Sequence, residues 1–184
     1  MPQSIIRGIN LRNEIKGFSS SVLGIGTDVV YLPRFQRLIL KYGSPGDGKR
    51  LDRIMSKFMH ARELSRYQEL LQNHKSSLPL IHYAAGVWAT KEAIYKTLAS
   101  QVPVNMMPPA QTIYTKLCYK LNGSTGAPKI EIDDTLMTKY PKFMLENIIN
   151  TKFLVSLSHD EKYLVSFVCQ SKIGPPEIAK NCPK

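Results

Sequence analysis

The stretch Ser21-Val-Leu-Gly-Ile-Gly-Thr-Asp-Val-Val30 is short, aliphatic and β-branched, and this pattern predicts a buried strand. Because side chains alternate along a strand, Gly24, Gly26 and Asp28 share one face. Two missing side chains beside a carboxylate leave room for a closely packed neighbour or for a metal-bound phosphate. The stretch lacks the third glycine of a dinucleotide fingerprint. A strand is therefore predicted, while both interpretations of its glycines stay open.

Helical and strand patterns alternate along the rest of the chain. Helices are predicted at 31–42, over 51–73 as one helix or two, and at about 83–99, after an interruption at Pro79. Strands are predicted at 111–121 and 129–132, paired across Asn122-Gly123, and at 152–158 and 163–169, joined by residues 159–162. Asp133 and Asp134 are candidate N-caps of a helix that Pro141 interrupts, and residues 44–48 and 101–109 are predicted to be irregular. Hairpins beside grouped helices favour an α+β fold, with an antiparallel sheet and helices packed on it.

The length and charge of the chain limit its class. With 184 residues it fits one domain, which we expect over residues 21–172, between tails at 1–20 and 173–184. No stretch approaches the roughly 20 apolar residues of a membrane helix, so we expect no membrane span. The net charge of +11 suits nucleic acid, anionic membranes, polyphosphate ligands or an acidic protein partner, without choosing among them.

Residues 1–20 have a composition of their own. Arg7, Arg12 and Lys16 stand against one acid, Glu14, and five aliphatic residues lie among them. Such a basic and weakly amphipathic segment is typical of a mitochondrial transit peptide, and it also fits a disordered basic tail. We expect a mitochondrial location, with the cytoplasm as the alternative.

The helix predicted at about 83–99 carries two distinct faces. Val87, Ile94 and Leu98 form an aliphatic face. The nearly opposite face is formed by Ala85, Trp88, Ala89, Glu92, Lys96 and Ala99. Glu92 and Lys96, four residues apart, can form a solvated surface pair, but the small residues around them favour the wall of a cleft.

Two other segments could bind an anion. Val155-Ser-Leu-Ser158-His159-Asp160 runs from a strand into a tight turn, where hydroxyls, backbone N–H groups and a histidine can hold phosphate, or where the histidine is simply solvated. The loop Gly123-Ser-Thr-Gly-Ala-Pro128 can approach a ligand with its backbone or form an ordinary hairpin loop.

These candidate groups limit the chemistry. No nucleophile elbow supports a serine hydrolase, and no HExxH or paired Cys/His spacing supports zinc. Two carboxylates, Asp28 and Glu92, remain beside Lys96 in basic surroundings. Mg²⁺ fits this set because it takes one or two protein carboxylates and completes its octahedron with water and substrate phosphate.

Four motifs in order resemble one family. They are Gly24-Ile-Gly26-Thr-Asp28-Val-Val-x-x-x-Arg34, Phe58-Met-x-x-x-Glu63-Leu, Trp88-Ala-x-Lys-Glu92-Ala-x-x-Lys96 and Val155-Ser-x-Ser-His159. Over about residues 22–169 the chain resembles the 4′-phosphopantetheinyl transferases of the holo-acyl-carrier-protein synthase type, and the mitochondrial fungal branch is a candidate placement within them. We therefore expect the fold of that family.

The resemblance also implies an activity. It is transfer of the 4′-phosphopantetheine arm of coenzyme A to a serine of an acidic acyl carrier protein, with release of adenosine 3′,5′-bisphosphate. The reaction would require Mg²⁺ and would serve fatty acid biosynthesis. Members of this type form trimers with the site between subunits, so a homotrimer is a further expectation.

The resemblance assigns roles to particular residues. Asp28 and Glu92 would hold the metal, Glu92 and Lys96 would be catalytic, Arg34 would contact the carrier protein, and Asp28, Glu92, Lys96, Pro128, Ser158 and His159 would bind coenzyme A. Glu92 or a water molecule on the ion would accept the proton of the acceptor serine. Bacterial members usually carry an arginine where this chain has Val87, so one anion contact is expected to be missing or replaced.

A second function remains open from the residues alone. The predicted strand at 111–121 places Tyr114, Lys116 and Lys120 on one face, which suits a basic RNA-binding module without catalysis. That alternative gives no reason for Asp28 and Glu92, so we expect no nucleic-acid partner.

Overall fold

The computed structural model describes residues 22–42, 48–73 and 77–173. Its elements are β1 (Val22–Tyr31), α1 (Leu32–Tyr42), α2 (Gly48–Met55), α3 (Ala61–Asn73), α4 (Leu78–Ala99), α5 (Ala110–Thr112), β2 (Cys118–Asn122), β3 (Pro128–Ile132), α6 (Pro141–Asn147), β4 (Thr151–Asp160) and β5 (Tyr163–Lys172). Short 3₁₀ segments span Val104–Met106 and Asp134–Thr138, and a π-helical turn spans Ile113–Leu117. The predicted tails, apart from Ile173, and most of the predicted loop at 44–48 lie outside the described residues.

Two antiparallel sheets form the β layer. The larger has the strand order β1-β5-β4, and the smaller is the β2-β3 hairpin. In the larger sheet Asp28 lies opposite Ser166, and His159 lies opposite Leu164. Antiparallel sheets with packed helices confirm the predicted α+β class.

The long helix α4 is the centre of the fold. Its first half packs in one core cluster with α1, α2 and α3, and its second half packs in another with the π-helical turn, α6 and the sheet. The helix is therefore buried on nearly every side, Ala85 and Ala89 included. The predicted cleft wall is wrong for these two alanines, and the fully buried Val87 has no access to an anion.

The glycines of β1 allow a close approach between strand and helix. A Cβ atom added at Gly26 would lie 2.2 Å from the carbonyl oxygen of Ala93, and one at Gly24 would lie 2.6 Å from that of Thr97. Both positions face the backbone of α4, which cannot move aside as a flexible side chain can. Of the two interpretations that the sequence left open, the structure shows close packing.

Most of the predicted elements are confirmed. The strand at 21–30, the helix at 31–42 and the pairing of 163–169 with 152–158 all appear with ends shifted by a few residues. Residues 51–73 form two helices. Asp133 caps the segment after it, because its side chain accepts a hydrogen bond from the backbone N–H of Thr135 at 2.9 Å.

The predicted strand at 111–121 is wrong before residue 118. Ile113 and Leu117 do point into the core, as the alternating pattern requires, but they do so four residues apart on a helical turn. Pro109 precedes that turn and suits the start of a helix. Tyr114 and Lys116 therefore do not share a strand face with Lys120, and the observation that favoured an RNA-binding sheet is removed.

Two boundary predictions are also wrong. Pro79 does not interrupt the chain before α4 but lies in its first turn, where the missing N–H costs nothing. His159 and Asp160 are strand residues rather than turn residues, and the turn contains Glu161 and Lys162 alone. Glu161 has a φ of 37°, in the left-handed region.

A buried ion pair joins three elements. Lys91 Nζ of α4 lies 3.0 Å from Glu63 Oε2 of α3, and both side chains are 1% exposed. Glu63 also accepts hydrogen bonds from the backbone N–H groups of His60 at 2.8 Å and of Lys120, in β2, at 2.6 Å. Lys91 donates to the carbonyl oxygen of Cys118, also in β2. Because every polar atom of the pair is engaged, its desolvation is offset only while both partners are present.

We predict that Lys91→Met lowers the free energy of unfolding by about 3–5 kcal/mol, because it leaves a buried carboxylate without its cation. Urea denaturation measures this loss. The matched control is Arg66→Met, which breaks the exposed pair between Arg66 and Glu69 and should cost less than about 1 kcal/mol. The double variant Glu63→Gln/Lys91→Met should recover part of the loss; equal small losses for Lys91→Met and Arg66→Met would contradict this account.

Candidate active site

Asp28 and Lys96 meet where β1 passes α4. Asp28 stands on the helix-facing side of β1, and its side chain is 14% exposed. Lys96 Nζ lies 2.9 Å from Asp28 Oδ1 and donates a further hydrogen bond of 2.9 Å to the carbonyl oxygen of Thr27. The lysine thus pairs with the carboxylate of Asp28 on the strand rather than with Glu92 on its own helix.

Glu92 stands one turn before Lys96 and is half-buried. Its Oε1 accepts a hydrogen bond of 2.9 Å from the hydroxyl of Tyr114, which belongs to the π-helical turn. Burial raises the pKa of Tyr114 above its usual range, and the hydrogen bond to Glu92 and the charges of Glu92, Tyr95 and Asp28 raise it further. The phenol therefore stays protonated at neutral pH and acts as a donor.

The structure thus pairs Asp28 with Lys96 and places Glu92 one helical turn before that lysine, with Tyr114 hydrogen-bonded to Glu92. The charge of Asp28 is one of those that raise the pKa of Tyr114. The carboxylate oxygens of Asp28 and Glu92 suit a hard cation, and the neighbouring ammonium of Lys96 suits a phosphate. Among the described residues no group of three or more His, Cys, Asp or Glu is placed to hold a metal ion.

The other predicted ligand-binding residues lie apart from this cluster. His159 and Pro128 line a cavity of about 710 Å³ between α3, α4 and the two hairpins. Ser158 does not line it, because neighbouring residues of a strand point to opposite faces and Ser158 lies on the outer face of the larger sheet. The predicted anion site of Ser158 and His159 in one turn is therefore not formed within one chain.

The cavity is basic. Its arginine, lysine and histidine lining residues are Arg62, Arg66, His82, Lys120 and His159. The rings of His82 and His159 are 4.7 Å apart. Burial lowers the pKa of His82, and the charge of His159 lowers it further. Burial also lowers the pKa of Lys120, against the opposing effect of Glu63. An anion in this cavity would favour the protonated forms of His82 and Lys120 and so oppose the effect of burial on their pKa values.

Arg34 lies on the exposed side of α1. Its guanidinium carbon lies 6.0 Å from the ring centroid of Trp88. A small apolar cavity of about 160 Å³ opens beside it, lined by Arg34, Phe35, Leu38, Ile54, Lys57, Phe58 and Trp88. Arg37 and Lys41 are exposed on the same helix, so a basic face adjoins an apolar pocket.

Sequence reasoning missed Tyr114, Arg62 and His82. The alternating pattern predicts a strand at Tyr114, whereas its approach to Glu92 depends on the π-helical turn. Arg62 and His82 stand on different helices, and no local pattern links them to His159. The proline pair before residue 110 was the available signal for a helical start.

Comparison with known proteins gives concordant matches. The family model described as the 4′-phosphopantetheinyl transferase superfamily matches residues 24–167. Mitochondrial holo-[acyl-carrier-protein] synthases of Saccharomyces cerevisiae and Candida glabrata are 38% and 41% identical to the chain; the alignments cover 82% and 80% of the chain and 92% and 93% of those proteins. The crystal structure of holo-[acyl-carrier-protein] synthase from Neisseria meningitidis superposes with a TM-score of 0.57 at 22% identity, covering 82% of this chain and 99% of that one. No helix among the described residues is long and apolar enough to cross a membrane.

Proposed function

The chain belongs to the 4′-phosphopantetheinyl transferase superfamily, and we propose that the cluster of Asp28, Glu92, Lys96 and Tyr114 is its active site. It is a holo-acyl-carrier-protein synthase, which transfers the 4′-phosphopantetheine arm of coenzyme A to a serine of acyl carrier protein and releases adenosine 3′,5′-bisphosphate. The observation that carries the site assignment is the ion pair of Asp28 with Lys96 where β1 meets α4, one helical turn from the half-buried carboxylate of Glu92. The family match and this geometry support each other.

Mg²⁺ fits these residues. Asp28 and Glu92 would hold it, and two carboxylates are the share that a protein normally gives to this ion, with substrate phosphate and water supplying the rest. When bound, the ion neutralises charge on the pyrophosphate, an effect worth several kcal/mol in the transition state. The oxygen-only donor set and the neighbouring ammonium of Lys96 support this assignment.

The reaction assigns a task to each side chain. The serine hydroxyl of the carrier protein attacks the phosphorus next to pantetheine, and the bond from that phosphorus to the oxygen of adenosine 3′,5′-bisphosphate breaks. Glu92 or a water molecule accepts the serine proton. Lys96, whose side chain is 49% exposed, can turn from Asp28 to the departing phosphate and stabilise or protonate it.

The basic cavity is our candidate site for the nucleotide. His159 and Pro128 border it, as the resemblance implied, and Arg62, Arg66 and Lys120 supply positive charge. These side chains would supply the anion contact that Val87, buried in the core, cannot make. Such a cluster attracts phosphates, because its cationic side chains form charge-assisted hydrogen bonds in a cavity partly shielded from water.

The exposed face of α1 is our candidate site for the carrier protein. Arg34, Arg37 and Lys41 project from it, and the apolar pocket beside Trp88 adjoins Arg34. An acidic helix with one or two apolar side chains would fit both features. The net charge of +11 supports an acidic partner.

We also place the protein in mitochondria. The relatives in yeast and Candida glabrata carry that location in their names, and the basic, acid-poor composition of residues 1–20 agrees with it. In many eukaryotes mitochondria contain their own acyl carrier protein, and the transfer would there serve fatty acid biosynthesis. Imaging of the full chain with a carboxy-terminal fluorescent tag in a eukaryotic cell tests the location.

The outer face of the larger sheet is our candidate subunit interface. Its exposed apolar residues are Ile25, Val29, Tyr31, Leu154, Tyr163, Val165 and Phe167. A monomer rarely leaves so many neighbouring apolar side chains in water. We assign this face to further copies of the chain in a homotrimer, which would also bring the outer-face residue Ser158 to a site between subunits.

The first prediction of the proposed function concerns the metal. Asp28→Ala and Glu92→Ala should each abolish transfer while circular dichroism and thermal unfolding stay near the parent values, because both side chains lie at the rim of the core. Since both would serve one ion, the double variant should be scarcely worse than either single variant. Excess EDTA should stop the parent enzyme and Mg²⁺ should restore it; full activity in EDTA would contradict the assignment.

The second prediction concerns the carrier protein. Arg34→Glu should weaken association with the acidic carrier by about tenfold or more and reduce its salt dependence, with little change in coenzyme A binding. Lys142→Glu, an equal charge change on the exposed face of α6, is the matched control and should have a small effect. Calorimetry with each substrate separates the cases, and equal losses for both substrates would show that Arg34 belongs to the nucleotide site or the fold.

The third prediction concerns assembly. Light scattering should give a trimer for the parent chain, and Phe167→Lys should shift it to monomers, because a buried ammonium would be unpaired in the interface. Leu145→Lys, at an exposed apolar position on α6, is the control and should leave the trimer intact. A monomeric parent chain at tens of micromolar would refute this interface.

A further inference from the structure

We infer that Tyr114 is a positioning residue that holds Glu92 Oε1 and thereby leaves Glu92 Oε2 as the oxygen for the metal ion. The inference rests on the proposed function, in which Glu92 is a metal ligand. It adds a residue that none of the four sequence motifs contains.

The first support is the contact itself. The hydroxyl of Tyr114 lies 2.9 Å from Glu92 Oε1, and a phenol has one proton to donate. The carboxylate can rotate about its last side-chain bonds, so it needs a second contact to keep one direction. A hydrogen bond to one oxygen supplies that contact and leaves the lone pairs of the other oxygen available. Groups of this kind commonly fix the carboxylates and histidines that ligate metals.

The second support is the rigidity of Tyr114. Its ring packs against Tyr95 with the centroids 6.0 Å apart and the planes at 72°, and against Trp88 at 6.4 Å. Its neighbour Ile113 is buried in the second core cluster, as is Leu117 at the other end of the turn. A donor fixed by aromatic packing at one end and by core residues on its own turn is already oriented before a ligand arrives.

The third support is the backbone conformation. Residues Ile113–Leu117 form a π-helical turn, a rare conformation that occurs mostly at functional sites. The wider turn lets Ile113 and Leu117 enter the core while Tyr114 points toward α4. A strand over the same residues would put Tyr114 and Lys116 on one face and would not fix Tyr114 over Glu92.

The test uses Tyr114→Phe, which removes the hydroxyl and keeps the ring. Binding of Mn²⁺, a paramagnetic probe for the Mg²⁺ site, is measured by electron paramagnetic resonance with adenosine 3′,5′-bisphosphate at a fixed concentration. We expect affinity for Mn²⁺ to fall by about 10–100-fold. In the transfer assay the half-saturating Mg²⁺ concentration should rise by a similar factor, while kcat at saturating Mg²⁺ recovers most of the parent value.

The matched control is Tyr140→Phe, which removes a phenolic hydroxyl from another half-buried tyrosine. Like Tyr114 it packs against the second core cluster, but it does not belong to the proposed active site. It should leave Mn²⁺ binding unchanged, and thermal unfolding of both variants checks that each is folded. Parent-like Mn²⁺ affinity in Tyr114→Phe, with loss of binding in Glu92→Gln, would overturn the inference and leave the proposed function standing. Unchanged binding in Glu92→Gln as well would overturn the metal assignment itself.

Discussion

The buried pair between Glu63 and Lys91 is the interaction on which the arrangement of the site depends. It ties α3 and α4 to each other, and through the backbone N–H of Lys120 and the carbonyl of Cys118 it ties both to β2. Glu63 also accepts a hydrogen bond from the backbone N–H of His60, just before its own helix, as the acid of a capping box does. Because Lys91 precedes Glu92, the anchoring of its side chain sets the rotation of α4 about its axis together with the two core clusters. The direction of Glu92 follows from that rotation.

The close approach of β1 to α4 brings Asp28 to the site. Without side chains at Gly24 and Gly26 the strand can lie against the helix backbone, and this proximity lets Lys96 reach Asp28. The helix is buried on nearly all sides, so neither partner can move far without opening a core cluster. This packing holds β1 and α4, which bear the two carboxylates, in fixed positions. Such preorganisation lowers the free-energy cost of binding a charged phosphate.

Local sequence patterns predicted much of the fold. The β1 strand, the helix α1, the hairpins and the alternation that places Gly24, Gly26 and Asp28 on one face all follow from hydrophobic periodicity and turn chemistry. The residues of the cluster could be named because they fall in ordered motifs. The conformation around Tyr114 could not be predicted, because the spacing of Ile113 and Leu117 is compatible with both a strand and a helical turn. Packing in the second core cluster, which also contains Ile94 and Leu98 of α4, decided between the two conformations. The basic cavity could not be predicted from local patterns either, because its residues come from four segments that are distant in the sequence.

The central claim is that this chain moves the phosphopantetheine arm onto a carrier protein. The direct measurement is intact-protein mass spectrometry of apo acyl carrier protein after incubation with the chain, coenzyme A and Mg²⁺, with nucleotide products followed in parallel. The account predicts a mass increase of one phosphopantetheine group on the acceptor serine and an equal molar amount of adenosine 3′,5′-bisphosphate. A carrier of unchanged mass, under conditions in which a known holo-acyl-carrier-protein synthase converts it fully, would contradict the account.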